Sequence, residues 1–257
     1  MSAAASVAPA TMGDIILSGR GLTKRFGGLV AVRDVDIDVP RGEIFGLIGP
    51  NGAGKSTLFR LIAGIMAPTA GSVTFDGHPL TKKSPAAICV DGVVATHQIV
   101  RPFRTMSVLD NVTIGAFFGR RPQPKGREHA RAIATEVLER CGIADRALKP
   151  ARELNLAGQK RLEIARALAT DPKVILLDEV LAGLNPTETD RTLDLIRSIR
   201  ASGTTIVMVE HNLRAVRGLC SHLMVLVEGR KVAEGLPDAV LADPIVIAAY
   251  LGTAVHA

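Results

Sequence analysis

Residues 46–57 read GLIGPNGAGKST, and this stretch decides the fold. A short apolar run, residues 44–48, leads into the glycines, and a helical pattern, LFRLIAGI, follows at once. Strand, tight glycine turn and helix in that order aim backbone N–H groups at an anion, with the positive end of a helix dipole behind them. The spacing Gly49-x-x-x-x-Gly54-Lys55-Ser56 is that of a phosphate-binding loop. In such a loop Gly49, Pro50, Asn51, Gly52, Ala53 and Gly54 form the cradle and Thr57 continues it into the helix. Lys55 reaches the β and γ phosphates, and the Ser56 hydroxyl takes a place on Mg²⁺.

Further apolar runs at residues 93–95, 174–177, 205–209 and 223–227 alternate with helical patterns, which predicts buried strands in an α/β layered core. Two of these runs end in chemistry. VILLDEV closes on adjacent carboxylates: Asp178 is placed to hold Mg²⁺ through water, and Glu179 points to where an attacking water would sit. TTIVMV ends at Glu210-His211, on the side where ligands collect in open α/β sheets, which makes His211 a γ-phosphate contact. The segment REHARAIATEVLERC differs, because Ala130, Ile133, Val137, Leu138 and Cys141 recur at helical spacing between charges. It marks a mostly helical region, placed at about 99–160 and inserted between two parts of the core. Just before it, RRPQPKGRE is basic and carries two prolines, the pattern of an exposed loop.

With 257 residues, 47% of them hydrophobic, the chain can bury one good core, or one core with a subdomain attached. A net charge of +6 suits anionic ligands, anionic membrane surfaces or nucleic acid without choosing among them. Cys89, Cys141 and Cys220 are far apart with no CxxC pair, so reduced thiols are expected and neither a disulfide framework nor a zinc site. Residues 1–13 are small and polar and read as a flexible tail, not a secretory signal. No apolar run approaches the roughly twenty residues that a membrane helix requires.

One stretch looks like half a binding site. ELNLAGQKRLEIARAL, residues 153–168, resembles the opening of a helix built to face a phosphate, yet it holds no phosphate-loop lysine, no carboxylate pair and no nucleophile. The order of motifs explains it. GPNGAGKST, a glutamine after a strand (THQ), this helix opening, LLDE and a histidine after the last core strand together resemble the nucleotide-binding subunit of ATP-binding cassette (ABC) transporters. The likeness runs from about Ile15 to Gly252.

The resemblance implies a P-loop NTPase (RecA-like) α/β core, an antiparallel β subdomain and an inserted α-helical subdomain. It also implies one ATPase domain over 14–252 with a C-terminal helix at about 236–251. Phe26 falls where the family stacks an aromatic ring on adenine, and Gln98 matches the glutamine that senses Mg²⁺ and the γ-phosphate. LNLAG matches the family signature, with Asn155, Ala157 and Gly158 completing the ATP site of a second copy head to tail. The physical logic is a helix N-terminus presented to an anion.

Three departures stand out. Asn155 replaces the usual signature serine, although it is also a good N-cap and carries an N–H₂ donor. Ala157 takes a glycine position, and a one-residue shift would instead put Gly158-Gln159 in the G-Q places. Val180 and Asn185 replace the proline and aspartate common in the family.

FGGLVAV, LDNVTIGA, LLDEVLAGLNPTE, MVEHNL and ADPIVIAAYLG are similar to branched-chain amino acid importer ATPases in particular. The implied activity is hydrolysis of MgATP to power import. Alternatives are a urea or amide importer, a lipopolysaccharide exporter, or a soluble cassette ATPase acting on nucleic acid. The last class carries long coiled-coil or zinc insertions or a second cassette, none visible in this sequence, so nucleic acid is not an expected partner. Expected partners are a second ATPase, identical or a sister chain, membrane permease subunits and, indirectly, a periplasmic or extracellular binding protein. The implied location is the cytoplasmic face of the membrane.

Overall fold

A computed structural model describes residues 14–80, 83–96, 101–120 and 126–251. Two long strands come first, β1 (Ile15–Phe26) and β2 (Leu29–Pro40), joined at the Gly27-Gly28 turn. β3 (Ile44–Ile48) runs through the glycine loop into α1 (Lys55–Ile62). β4 (Ala70–Phe75) and β5 (His78–Pro79) then return to β1, and α2 (Pro85–Asp91) precedes β6 (Val93–Ala95). Three helices follow: α3 (Val108–Phe117), α4 (Arg127–Arg140) and α5 (Leu156–Ala169). Next come β7 (Val174–Asp178), α6 (Pro186–Ala201), β8 (Thr205–Val209) and α7 (Leu213–Leu219). The chain closes with β9 (His222–Val227), β10 (Arg230–Gly235), α8 (Pro237–Leu241) and α9 (Pro244–Leu251).

These strands make two sheets. The smaller is antiparallel, in the order β2-β1-β4-β5; the larger runs β10-β9-β3-β8-β7-β6. Within the larger sheet every neighbouring pair is parallel except the β9–β10 hairpin. Register then sets the site. Leu47 lies opposite Val209, and Val209 opposite Asp178, so the carboxyl ends of β3, β8 and β7 are level. The residues that follow them, from Gly49, Glu179 and Glu210 onward, emerge along one edge.

The central strands β3, β7 and β8 of the larger sheet are buried on both faces, which is why they read as continuous apolar runs and not as alternating ones. Phe45 and Leu47 point into a core shared with α1 and the antiparallel sheet, while Ile44 and Ile48 join the opposite core with α6 and α7. That second core extends into α3, α4 and α5, where Ala130, Ile133, Val137, Leu138 and Cys141 are all buried. The antiparallel sheet is tied to the larger one by Asp76, which accepts from both Arg41 and Lys173; these cations hold its carboxyl down at about 2.

The stretch 236–251, expected as a loop followed by a C-terminal helix, holds a short α8 ahead of α9. Pro244 has no N–H to continue α8, and the Asp243 carboxylate accepts from the Ile245 N–H at 2.8 Å, restarting the chain as α9. The tail at 1–13 lies outside the described residues, as does 121–125 of the basic loop.

Leu47 is fully buried between the two sheets. Leu47→Ala is expected to cost about 2–5 kcal/mol, read as a lower denaturant midpoint at unchanged slope; a loss within error of zero would remove this layer as the seat of stability.

Candidate active site

The phosphate loop is forced into shape by close neighbours. Gly49 has φ of 149° and a Cβ there would lie 2.1 Å from the Leu226 carbonyl oxygen, so no other residue fits. Gly54, the N-cap of α1, has φ of 96° and lies against Ala31 of β2, which brings the antiparallel sheet up to the loop. Lys55 is buried, and its ammonium donates to the carbonyls of Gly49 at 2.7 Å and Pro50 at 2.9 Å. Burial lowers its pKa, while the nearby Glu179 and Asp178 carboxylates oppose the shift.

The carboxylates sit along the same edge. Asp178 is 6% exposed, and its Oδ1 is buried without any hydrogen-bond partner. Burial, then the neighbouring Glu179, pushes its carboxyl up to about 6. An orphaned carboxylate oxygen beside a phosphate loop fits a hard cation shared with phosphates, with the Ser56 hydroxyl as the second protein donor. Glu179 takes a left-handed backbone with φ of 49°, and its Oε1 lies 2.9 Å from His211 Nε2. Its N–H donates to the Val209 carbonyl, and its own carbonyl accepts from the Lys160 ammonium at 2.7 Å. The strained conformation is therefore held from two sides.

Residues 51–57 line a cleft of about 230 Å³ together with Glu179 and His211. Phe26 stands at the tip of β1, 46% exposed with the Lys24 ammonium 5.4 Å from its ring centre; it is not a core residue. Asn155 is the N-cap of α5, its side-chain oxygen accepting from the Gly158 N–H at 2.9 Å, and Ala157 and Gly158 lie in the first turn. None of these three lines the cleft. Asn185 caps α6 in a reciprocal pair with Glu188, which accepts from the Asn185 N–H. Gln98 lies outside the described residues.

Sequence reasoning missed three supports. Thr96 accepts from the Asp178 N–H at 3.1 Å, Lys160 holds Glu179, and Glu210, 3% exposed, accepts from the Leu181 N–H at 3.0 Å. Lys160 gave a signal as a lysine whose helical neighbours Leu156, Ala157 and Ile164 are apolar, and Glu210 as the carboxylate that ends a core strand.

A phosphate loop, a buried lone carboxylate and a glutamate–histidine pair at the ends of parallel strands define a nucleotide-hydrolysing P-loop cassette. A family profile described as "ABC transporter" matches residues 32–182, and the chain belongs to that family. A second profile, "Branched-chain amino acid ATP-binding cassette transporter", matches residues 230–256. The chain is 39% identical over 255 residues to LivG of Salmonella typhimurium, a high-affinity branched-chain amino acid transport ATP-binding protein, covering 95% of this chain and all of that one. Identity to BraF of Pseudomonas aeruginosa, of the same description, is 36% over 93% of this chain and 98% of that one. Among solved structures, the ADP conformation of the cassette MJ1267 matches with a TM-score of 0.83 and 34% identity, covering 93% of this chain and 99% of that one.

Burial pushes the Glu210 carboxyl up to about 7 from an ordinary value of 4.5, although the N–H groups of Leu181 and His211 pull it down. Between those values the folded chain keeps a proton that the unfolded chain has lost, so stability falls as pH rises through this window and levels off above it. Glu210→Gln keeps an acceptor for Leu181 and removes the buried charge. It is expected to be more stable than wild type at pH 8 by up to about 3 kcal/mol, with no gain at pH 4. Equal denaturation midpoints at pH 8 would clear Glu210 of this role.

Proposed function

We propose that this chain binds MgATP between two facing ATPase subunits and hydrolyses it to drive import of branched-chain amino acids through separate permease subunits. The observation that carries the reading is the buried, unpartnered oxygen of Asp178 beside the phosphate loop. A buried charge without a partner is costly, and a cation delivered with the nucleotide would relieve it.

Each residue has a definable task. The loop N–H groups from Gly52 to Thr57 receive the phosphates, while Lys55 leaves the carbonyls of Gly49 and Pro50 to neutralise charge on the γ-phosphoryl. Asp178 and Ser56 would hold Mg²⁺, with Gln98 as a third donor, and the ion would supply positive charge to the phosphates. Glu179 accepts the proton of the attacking water, and His211, hydrogen-bonded to it, steadies the γ-phosphate. Phe26, exposed at its strand tip, stacks on adenine.

The signature helix supports the dimer. Asn155 is exposed at the free end of α5 and lies outside its own chain's cleft, so its turn is available to a nucleotide held by a second subunit, either identical or a sister ATPase. Similarity to LivG and BraF over nearly the whole chain, and the C-terminal profile, support branched-chain amino acids as cargo ahead of amides, urea or lipopolysaccharide. Among the described residues no helix is long and apolar enough to cross a membrane, so on this reading the chain meets the cytoplasmic face through its permeases.

Glu179→Gln is expected to bind ATP and remain dimeric on a sizing column while hydrolysis falls about 10²- to 10⁴-fold; turnover at the wild-type rate would overturn the role of Glu179. For the cargo, the subunit is to be copurified with its permeases and uptake of labelled leucine, isoleucine and valine measured. Uptake of amides in their place would redirect the assignment.

A further inference from the structure

We infer that Tyr250 is a positioning residue for the phosphate loop, holding the Gly49 N–H from the C-terminal helix. The inference rests on the nucleotide-binding reading above. Gly49 is the buried residue at which β3 turns into the loop. Its N–H finds its partner 201 residues away, donating to the Tyr250 hydroxyl at 2.9 Å. Its carbonyl accepts from the Lys55 ammonium at 2.7 Å. Both polar groups of the turn residue are thus held by side chains.

These two restraints behave differently once nucleotide arrives. The Lys55 ammonium must turn to the phosphates and give up Gly49. The tyrosine has no such task, so its bond remains to fix the start of the cradle. The far end of the loop is held from the same part of the chain, because Gly229 in the β9–β10 turn donates its N–H to the Ala53 carbonyl at 3.0 Å. The C-terminal segment therefore grips the loop at both ends. Tyr250 suits the position: from α9 its ring packs on the main core, and burial, which raises the phenol pKa, keeps the hydroxyl neutral as it accepts from Gly49. Without it a buried N–H would be left unpaired, and ordering the loop would be charged against nucleotide binding.

The test compares Tyr250→Phe with Val246→Ala, both in the full chain. Val246 is a buried residue of α9, 2% exposed, with no polar contact to the loop, so its truncation loosens the helix without touching the hydrogen bond. Affinity for a fluorescent ATP analogue with Mg²⁺, kcat at saturating ATP, melting temperature, and amide exchange of residues 46–54 without nucleotide are to be measured. Tyr250→Phe is expected to raise Kd and KM about three- to tenfold, keep kcat within about twofold, and speed exchange of 46–54. Val246→Ala is expected to lower the melting temperature with Kd unchanged.

Wild-type affinity and wild-type exchange in Tyr250→Phe would overturn the inference, as would equal changes in Kd for the two variants or failure of Tyr250→Phe to fold. If the wild-type chain itself did not bind ATP, the functional reading would fall, while the nucleotide-free exchange comparison would still judge the hydrogen bond on its own.

Discussion

The level ends of three parallel strands are the constraint on which the site depends. Because Leu47, Val209 and Asp178 stand in register, the residues after each strand come out side by side. A slip of one residue in the parallel ladder would turn Asp178 to the other face and part Glu179 from His211, since successive side chains point to opposite sides. Burial on both faces of the sheet guards the register: the two cores on either side require opposite sets of side chains from the same strand. The chemistry thus inherits its geometry from packing that lies beneath it.

Electrostatics at this edge are left unbalanced. Asp178 is buried with an unpaired oxygen, Glu210 is buried with its pKa raised, and Lys55 is tied to loop carbonyls with its pKa lowered. Of the three, Asp178 alone is left with an unpaired buried oxygen, a desolvated charge that a cation would relieve. The strained backbone of Glu179 belongs to the same arrangement, since Lys160 and Val209 hold a conformation that the residue would not adopt alone.

Lys160 also links this edge to the helical part of the chain. It belongs to α5, whose N-terminus carries Asn155, so the helix that faces outward at one end touches the backbone of Glu179 a turn and a half further along. One rigid helix thus joins the exposed Asn155 turn to the backbone carbonyl of Glu179.

By itself the sequence determined the glycine loop, the strand runs and the carboxylates at their ends, because local chemistry dictates each: a tight turn with no room for a Cβ at Gly49 or Gly54 demands glycine, and strands buried on two faces must be apolar throughout. It also set α4, where apolar side chains recur at helical spacing between charges. What it left open was every relation between distant segments. Thr96 on Asp178, Glu210 on Leu181 and Tyr250 on Gly49 join residues 82, 29 and 201 positions apart, and no local pattern encodes such pairs. Only the tertiary structure decided these, since a hydrogen bond between remote groups exists only once packing has fixed both partners in place.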